Sequence, residues 1–145
     1  PMPRNDLATR LNSVPLFADL SRSELQQIGK VTTELRLAPG EVIIRQGDIA
    51  RDMFVVADGS LEVTRDGAHV ALVEAGGFVG ETGLLTGNRR NATVAASSDA
   101  VVFHIDGRAL DHVLDQAPRI GVKMLRAVSR RHATRNHSTP AGSRR

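Results

Sequence analysis

Phe78-Val79-Gly80-Glu81-Thr82-Gly83-Leu84-Leu85-Thr86-Gly87-Asn88-Arg89-Arg90-Asn91-Ala92-Thr93-Val94 sets flexible backbone, one acid and a pair of arginines between two β-type segments. Glycines at 80 and 83 permit positive φ and close approach of a ligand to bare backbone, and Glu81 to Leu85 can form one short helical turn with free N–H groups. Arg90 supplies the opposing charge, because a guanidinium holds two phosphate oxygens at once, while Glu81 suits the hydroxyls of a sugar. The stretch therefore reads as a cradle for a sugar phosphate. The competing reading is a surface ion pair between Glu81 and Arg90, which would contribute little. The surrounding glycines and their spacing favour the ligand.

Outward from this stretch, residues 31 to 106 are short runs of β-branched residues broken by glycine at turn-like spacing, an all-β pattern. The spacing predicts strands at Val31–Leu37, Glu41–Arg45, Met53–Ala57, Leu61–Arg65, His69–Glu74, Thr93–Ala96 and Val101–Ile105, about eight with the cassette's own start. Asp66-Gly67 is a two-residue hairpin signal, and His69–Glu74 is expected to pair back through Val70, Leu72 and Val73. The fold class that follows is mainly β, an eight-stranded barrel or jelly roll that closes its edges, with N-terminal helices and two C-terminal helices.

Helical spacing places Leu7 and Leu11 in a first helix from Asp6 to Asn12, and Val14-Pro15-Leu16-Phe17 then turns the chain. Ser21-Arg22-Ser23-Glu24 is a capping box opening a second helix with Leu25 and Ile28 on its apolar stripe. A third helix covers Gly107 to Gln116, and Pro118 opens another that reaches His132 or Asn136. The last carries Ile120, Met124, Leu125 and Val128 on one side, expected to cover the mouth of the barrel, and basic residues on the rest. The reading is one domain over 1–136, with helices at 6–30, barrel at 31–106 and helices at 107–136. Residues 137–145 read as a disordered basic tail.

With Cys absent there are no disulfides or thiolate metal sites, and no apolar run approaches the ~20 residues of a membrane span. Together with the lack of an apolar signal core in residues 1–5, this fits a reducing cytoplasm, which is the expected setting. His69, His104, His112, His132 and His137 are scattered without metal-ligand spacing, and no nucleophile motif is present. Neither an enzyme nor a cofactor is expected. The net charge of +3 divides unevenly: residues 118–145 hold eight Lys/Arg and no Asp/Glu, leaving 11 basic against 16 acidic, a body at −5. An acidic body does not attract nucleic acid, so the local positive charge of Arg89 and Arg90 is the more telling.

The quoted stretch also resembles the phosphate-binding cassette of cyclic nucleotide-binding domains, roughly F-G-E-x-A-L-L-x-x-x-P-R-x-A-T. The Val14-Pro15-Leu16-Phe17 opening, the R-x-x-P-G-E-V-I-I-R-Q-G-D run from Arg36 and Val56-Ala57-Asp58-Gly59 extend the likeness over residues 14 to 117. The family includes the catabolite activator, regulatory subunits of protein kinase A, and cyclic nucleotide-gated channels. By that resemblance, Gly80, Thr82, Gly83 and Leu84 present backbone to the cyclic phosphate, Glu81 accepts from the ribose 2′-hydroxyl, and Arg90 pairs with the phosphate. Asn91, Ala92 and Thr93 complete the ligand contacts, with Val79, Arg89 and Arg131 as secondary candidates. Three departures stand out: Val79 intervenes between Phe78 and Gly80, Gly83 replaces alanine, and Arg89 replaces proline, which would loosen the approach to Arg90.

What the resemblance implies is a non-catalytic sensor for cAMP, or for cGMP, whose hinge at 107–117 and lid at 118–136 signal to an output domain or partner outside this stretch. The 27 residues after Pro118 leave no room for a lid and a helix-turn-helix together. An alternative from another class is a ligand-free barrel that binds nucleic acid or protein through its basic C-terminal helix. The intact Glu81 and Arg90 speak against it.

Overall fold

The computed structural model describes the backbone of residues 4–138 and the side chains of 7–83 and 86–130. Helices α1 (Arg4–Asn12) and α2 (Arg22–Lys30) flank a 3-10 turn at Pro15–Phe17. The strands follow: β1 (Thr32–Leu37), β2 (Val42–Ile44), β3 (Asp52–Asp58), β4 (Ser60–Arg65), β5 (Ala68–Glu74) and β6 (Phe78–Val79). Helix α3 (Glu81–Thr86) interrupts them before β7 (Thr93–Ala96) and β8 (Ala100–Asp106), and α4 (Gly107–Gln116) and α5 (Pro118–Ser138) end the described chain.

The eight strands form two four-stranded antiparallel sheets, ordered β1-β8-β3-β6 and β2-β7-β4-β5. This is the jelly-roll type of fold the sequence predicts, but the sheets do not close. No ladder joins one to the other, so the expected barrel is an open roll. Two-residue alternation explains how one sheet serves two cores. Met53 and Val55 of β3, with Phe103 and Ile105 of β8, face the helices and pack with Leu11, Phe17, Ile28, Leu110 and Ile120. Their neighbours Phe54, Val56 and Val102 face the other way and pack with Ile44, Leu61, Val94 and Ala96 of the second sheet. Phe17, Ile28 and Ile120 are wholly buried, each contributing ~1.5–3 kcal/mol by the area removed from water.

Local signals hold up well. Asp66 at φ 53° and Gly67 at φ 83° give both central residues of a type I′ hairpin the left-handed conformation it requires. In the capping box the Glu24 N–H donates to Ser21 Oγ and the Ser21 N–H donates to Glu24 Oε1. The pairing of β5 is a correction. The register shifts between Val63 and Thr64, so Val63 meets Ala71 and Thr64 meets His69, and Val70 is left without an opposite residue. Alternation from Val73, which stays inside opposite Leu61, turns Leu72 and Val70 outward, 52% and 46% exposed, and the bulge leaves Val70 alone unpaired.

The last helix supplies the second correction. It was expected to cover the roll's mouth, yet α5 lies against the N-terminal helical segment. Ile120 sits in the helical core with Leu16, Phe17 and Leu20, and Met124 and Val128 pack against the same cluster. Lys123 donates to Glu24 of α2 over 2.7 Å, and Arg130 pairs with Asp19. Leu125, expected on the covering side, is 66% exposed. The apolar stripe packs into the helical cluster that lies on the first sheet, which also holds Phe17 and Phe103. The helix continues to Ser138, two residues past the expected end, and the rest of the predicted tail, 139–145, lies outside the described residues.

Candidate functional site

The cassette is built on two left-handed glycines. Gly80, at φ 95°, turns the chain from β6 into α3, and Gly87, at φ 74°, ends the helix with its N–H donating to Gly83 O. Gly80 is required twice over. A Cβ there would lie 2.9 Å from Arg90 Nη1 and 3.0 Å from Asp52 O, so any side chain would displace the arginine as well as strain the backbone. The departure at Gly83 has an equally local cause: a Cβ would stand 2.5 Å from the Ala50 Cβ. Alanine fits the family pattern only where residue 50 gives way.

Arg89 in place of proline does not loosen Arg90. The Arg90 N–H donates to Asp48 O and its carbonyl accepts from the Gly47 N–H, both at 2.8 Å, which pins this backbone to the Gly47-Asp48 turn. Arg89 adds a third tie, Nη1 donating to Gly47 O at 3.1 Å. The hydrogen bonds supply what the proline ring would have supplied by restricting φ.

Arg90 is the one buried charged residue among those described, 8% exposed. Its Nη1 donates to Gly80 O at 2.9 Å, and its Nη2 donates to Asp52 O at 2.7 Å and Asp52 Oδ1 at 2.6 Å. Nε and one Nη1 hydrogen have no partner among the described residues. A buried guanidinium needs a counter-charge to offset its desolvation, and Asp52 provides it. Asp52 is held in turn, since its Oδ2 lies 2.7 Å from His104 Nε2 on β8. Sequence reasoning missed both Asp52 and His104. Their approach depends on the pairing of β3 with β8, which sets Phe54 opposite His104 and Asp52 opposite Asp106. No local signal carries that register.

Arg90 borders a cavity of about 300 Å³, while Asp52 and His104 stand behind it, outside the lining. That volume stands at the small end of ligand sites, which run from ~300 to ~1,000 Å³. One wall is apolar, Ile44, Val63, Val73 and Val94 of the second sheet, and the other is the cassette. Val79, Gly80, Glu81, Thr82, Gly83, Arg89, Arg90, Asn91 and Ala92 all line it. Thr93 does not: its Oγ1 accepts from the Gln46 N–H at 3.0 Å and ties β7 to the chain after β2. The Asn91 carbonyl accepts from Arg65 Nε at 2.9 Å. The side chains of Leu84 and Arg131 lie outside the described residues. Among the described residues, none of α4 or α5 borders the cavity. Among the described residues there is no cluster of three or more His, Cys, Asp or Glu able to hold a metal ion, and no helix is long and apolar enough to cross a membrane.

Comparison with known proteins agrees with this geometry. The family model for the cyclic nucleotide-binding domain matches residues 34–117. A cAMP-dependent protein kinase regulatory subunit of Schizosaccharomyces pombe is 30% identical over 108 residues, 74% of this chain and 26% of that protein. An uncharacterized protein of Mycobacterium tuberculosis is 39% identical over 109 residues, 74% of this chain and 21% of its own. The chain thus spans about a fifth to a quarter of these curated relatives. Among solved structures, the N-terminal domain of a transcriptional regulator from Streptomyces coelicolor A3(2) superposes with a TM-score of 0.70 at 28% identity, covering 89% of this chain and 94% of that one. Because the matched residues run from within β1 to the end of α4, take in the whole cavity and make up more than half of the sequence, this chain belongs to the cyclic nucleotide-binding domain family.

Proposed function

We propose that this chain is a non-catalytic sensor that binds cAMP, in competition with cGMP, in the cassette cavity and passes the event to a module or partner outside it. The observation that carries the reading is Arg90, a buried guanidinium with unspent donors beside the left-handed Gly80, at the polar end of a cavity whose opposite wall is apolar. A cyclic nucleotide has the matching order of parts: an anionic phosphate, a ribose hydroxyl, and a flat base for Val63 and Val73. In this reading the Arg90 guanidinium and the Gly80–Gly83 backbone receive the phosphate. The Glu81 carboxylate, bonded only by the Thr82 hydroxyl at a long 3.4 Å, accepts from the 2′-hydroxyl. Asn91 stands beside the arginine and the preference for cAMP is assigned to it. Nothing in this assignment asks for bond-making by the protein.

The unit of function is the domain 1–136, with α4 as hinge and α5 as the reporter. Relatives carry such domains in proteins of different kinds, a regulatory subunit of a protein kinase in one case and a transcriptional regulator in another, so the output is assigned to a module or partner outside this domain. Absence of cysteine suits a cytoplasmic setting. Isothermal titration with cAMP, cGMP and 2′-deoxy-cAMP tests the reading. Wild type should bind cAMP at a single site, favour it over cGMP, and lose affinity for the 2′-deoxy ligand. In Glu81→Gln that last difference should shrink, isolating the pair. Absence of binding by either cyclic nucleotide would overturn the assignment.

A further inference from the structure

The cassette arginine is the end of a chain of charged groups: Arg90 Nη2 to Asp52 Oδ1 at 2.6 Å, and Asp52 Oδ2 to His104 Nε2 at 2.7 Å. Asp52 therefore divides its carboxylate between two donors, one oxygen each. His104 is not a core histidine satisfied by packing alone. Its side chain is 28% exposed, and its ring lies tilted against Phe54 at 5.1 Å between centroids. A carboxylate only accepts, so the neutral ring must carry its hydrogen on Nε2, leaving Nδ1 to take up a proton from water. We infer that His104 is a positioning residue for the phosphate-binding arginine, and that its protonation, acting through Asp52, tightens nucleotide binding as pH falls. This rests on the ligand reading given above.

Two effects act in the same direction. An imidazolium competes with the guanidinium for Asp52, so the carboxylate holds Arg90 less closely and the arginine is freer to turn donors to a phosphate. The added positive charge also raises the potential at Arg90, one carboxylate away along the same chain of bonds. Arg45, Asp48, Arg51 and Arg89 line a cavity with Asp52 and Arg90 and add their charges to the background of this coupling. Asp106, two residues along β8 and opposite Asp52, spends its carboxylate on the Ala109 N–H at the start of α4. From β1 the opposite residue is Thr33, and the charged Glu34 and Arg36 alternate to the far face of the sheet. From β6, Val79 pairs with Phe54 and brings no charge.

The test is cAMP affinity measured by isothermal titration from about pH 8 to about pH 5.5. Wild type should bind roughly five-fold more tightly at the acid end, a coupling of the size expected for charges within one screened site. His104→Gln keeps a donor for Asp52 but cannot titrate, so its affinity should stay at the wild-type alkaline level throughout. Titration of wild type in buffers of different ionisation enthalpy should show uptake of ~0.4 proton per cAMP near the midpoint, as linkage requires for that coupling. This second measurement does not depend on the variant folding. Binding with a flat wild-type profile and no proton uptake, or an equal slope in His104→Gln, overturns the inference and leaves the ligand reading intact. No binding at any pH overturns both.

Discussion

The two ends of this molecule hold their charges in opposite ways. At the cassette, Arg90 is buried, fixed by three hydrogen bonds, and neutralised by an aspartate that is itself held by a histidine. At the helical end, α5 is tied down by two pairs, one at the rim and one beneath it. Arg130 and Asp19 are 58% and 45% exposed, while Lys123 and Glu24 are 22% and 14%. Rim pairs are worth little, and what keeps α5 in place is the burial of Ile120 with Met124 and Val128 beside it. The difference teaches which joint yields. In the proposed reading a ligand meets a preformed, costly-to-disturb charge at one end, and the element assigned to answer it is held at the other by a short apolar stripe.

Arg90→Ala is the largest test of that contrast. It should cost cAMP more than tenfold in affinity, since a charge-assisted bond is worth ~1.5–3 kcal/mol. It should also lower stability by ~2–3 kcal/mol, because Asp52 is left half-paired in a partly covered site. Denaturant unfolding reads the second effect. Arg90→Lys should restore part of the charge without the fork. An alanine variant with full stability would mean the cassette charge is held no more firmly than those at the rim.

Gly83→Ala comes next. Its Cβ would meet Ala50 at 2.5 Å, and overpacking of this kind costs ~1–3 kcal/mol. Ala50→Gly in the same chain should return most of that loss, a pairing that denaturant unfolding of the single and double variants would reveal. Additive losses would show that the contact is relieved elsewhere.

The smallest effect belongs to Lys123→Ala, expected to lower stability by at most ~1 kcal/mol and less in high salt. It carries a pH signature. The hydrogen bond from Lys123, followed by that from the Ser21 backbone, holds the Glu24 carboxyl below its ordinary 4.5. A depressed carboxyl stabilises the fold above its unfolded value and loses that contribution as pH falls through the folded one. The wild-type advantage over Lys123→Ala should therefore be present at neutral pH and shrink below about pH 4.5. An advantage that persists in acid would mean the pair is not what joins α2 to α5.

Most of the fold was legible because its signals are local. The hairpin glycine, the capping box and the proline that opens α5 each constrain a few residues, and each lies where the sequence places it. The cassette was legible for the same reason: Gly80 to Arg90 is one continuous segment. What sequence reading missed depends on register between distant strands. Asp52 and His104 are 52 residues apart and meet only because β3 pairs with β8. The bulge in β5 and the docking of α5 on the N-terminal segment are of the same kind, settled by which surface remains uncovered once the sheets have packed. An amphipathic stripe says that a helix will bury one face and not against what.

The claim that α5 answers the cassette is tested most directly by distance. The sequence has no cysteine, so Ala68→Cys on β5 and Arg126→Cys on the exposed side of α5 give a clean pair of spin-label sites. Pulsed electron paramagnetic resonance should show the distance between them changing on saturating cAMP by ~5 Å, about one helical turn, and not changing in Arg90→Ala at the same nucleotide concentration. The same distribution with and without cAMP, in a wild-type protein shown by titration to be saturated, would make the chain a static binder and contradict the account.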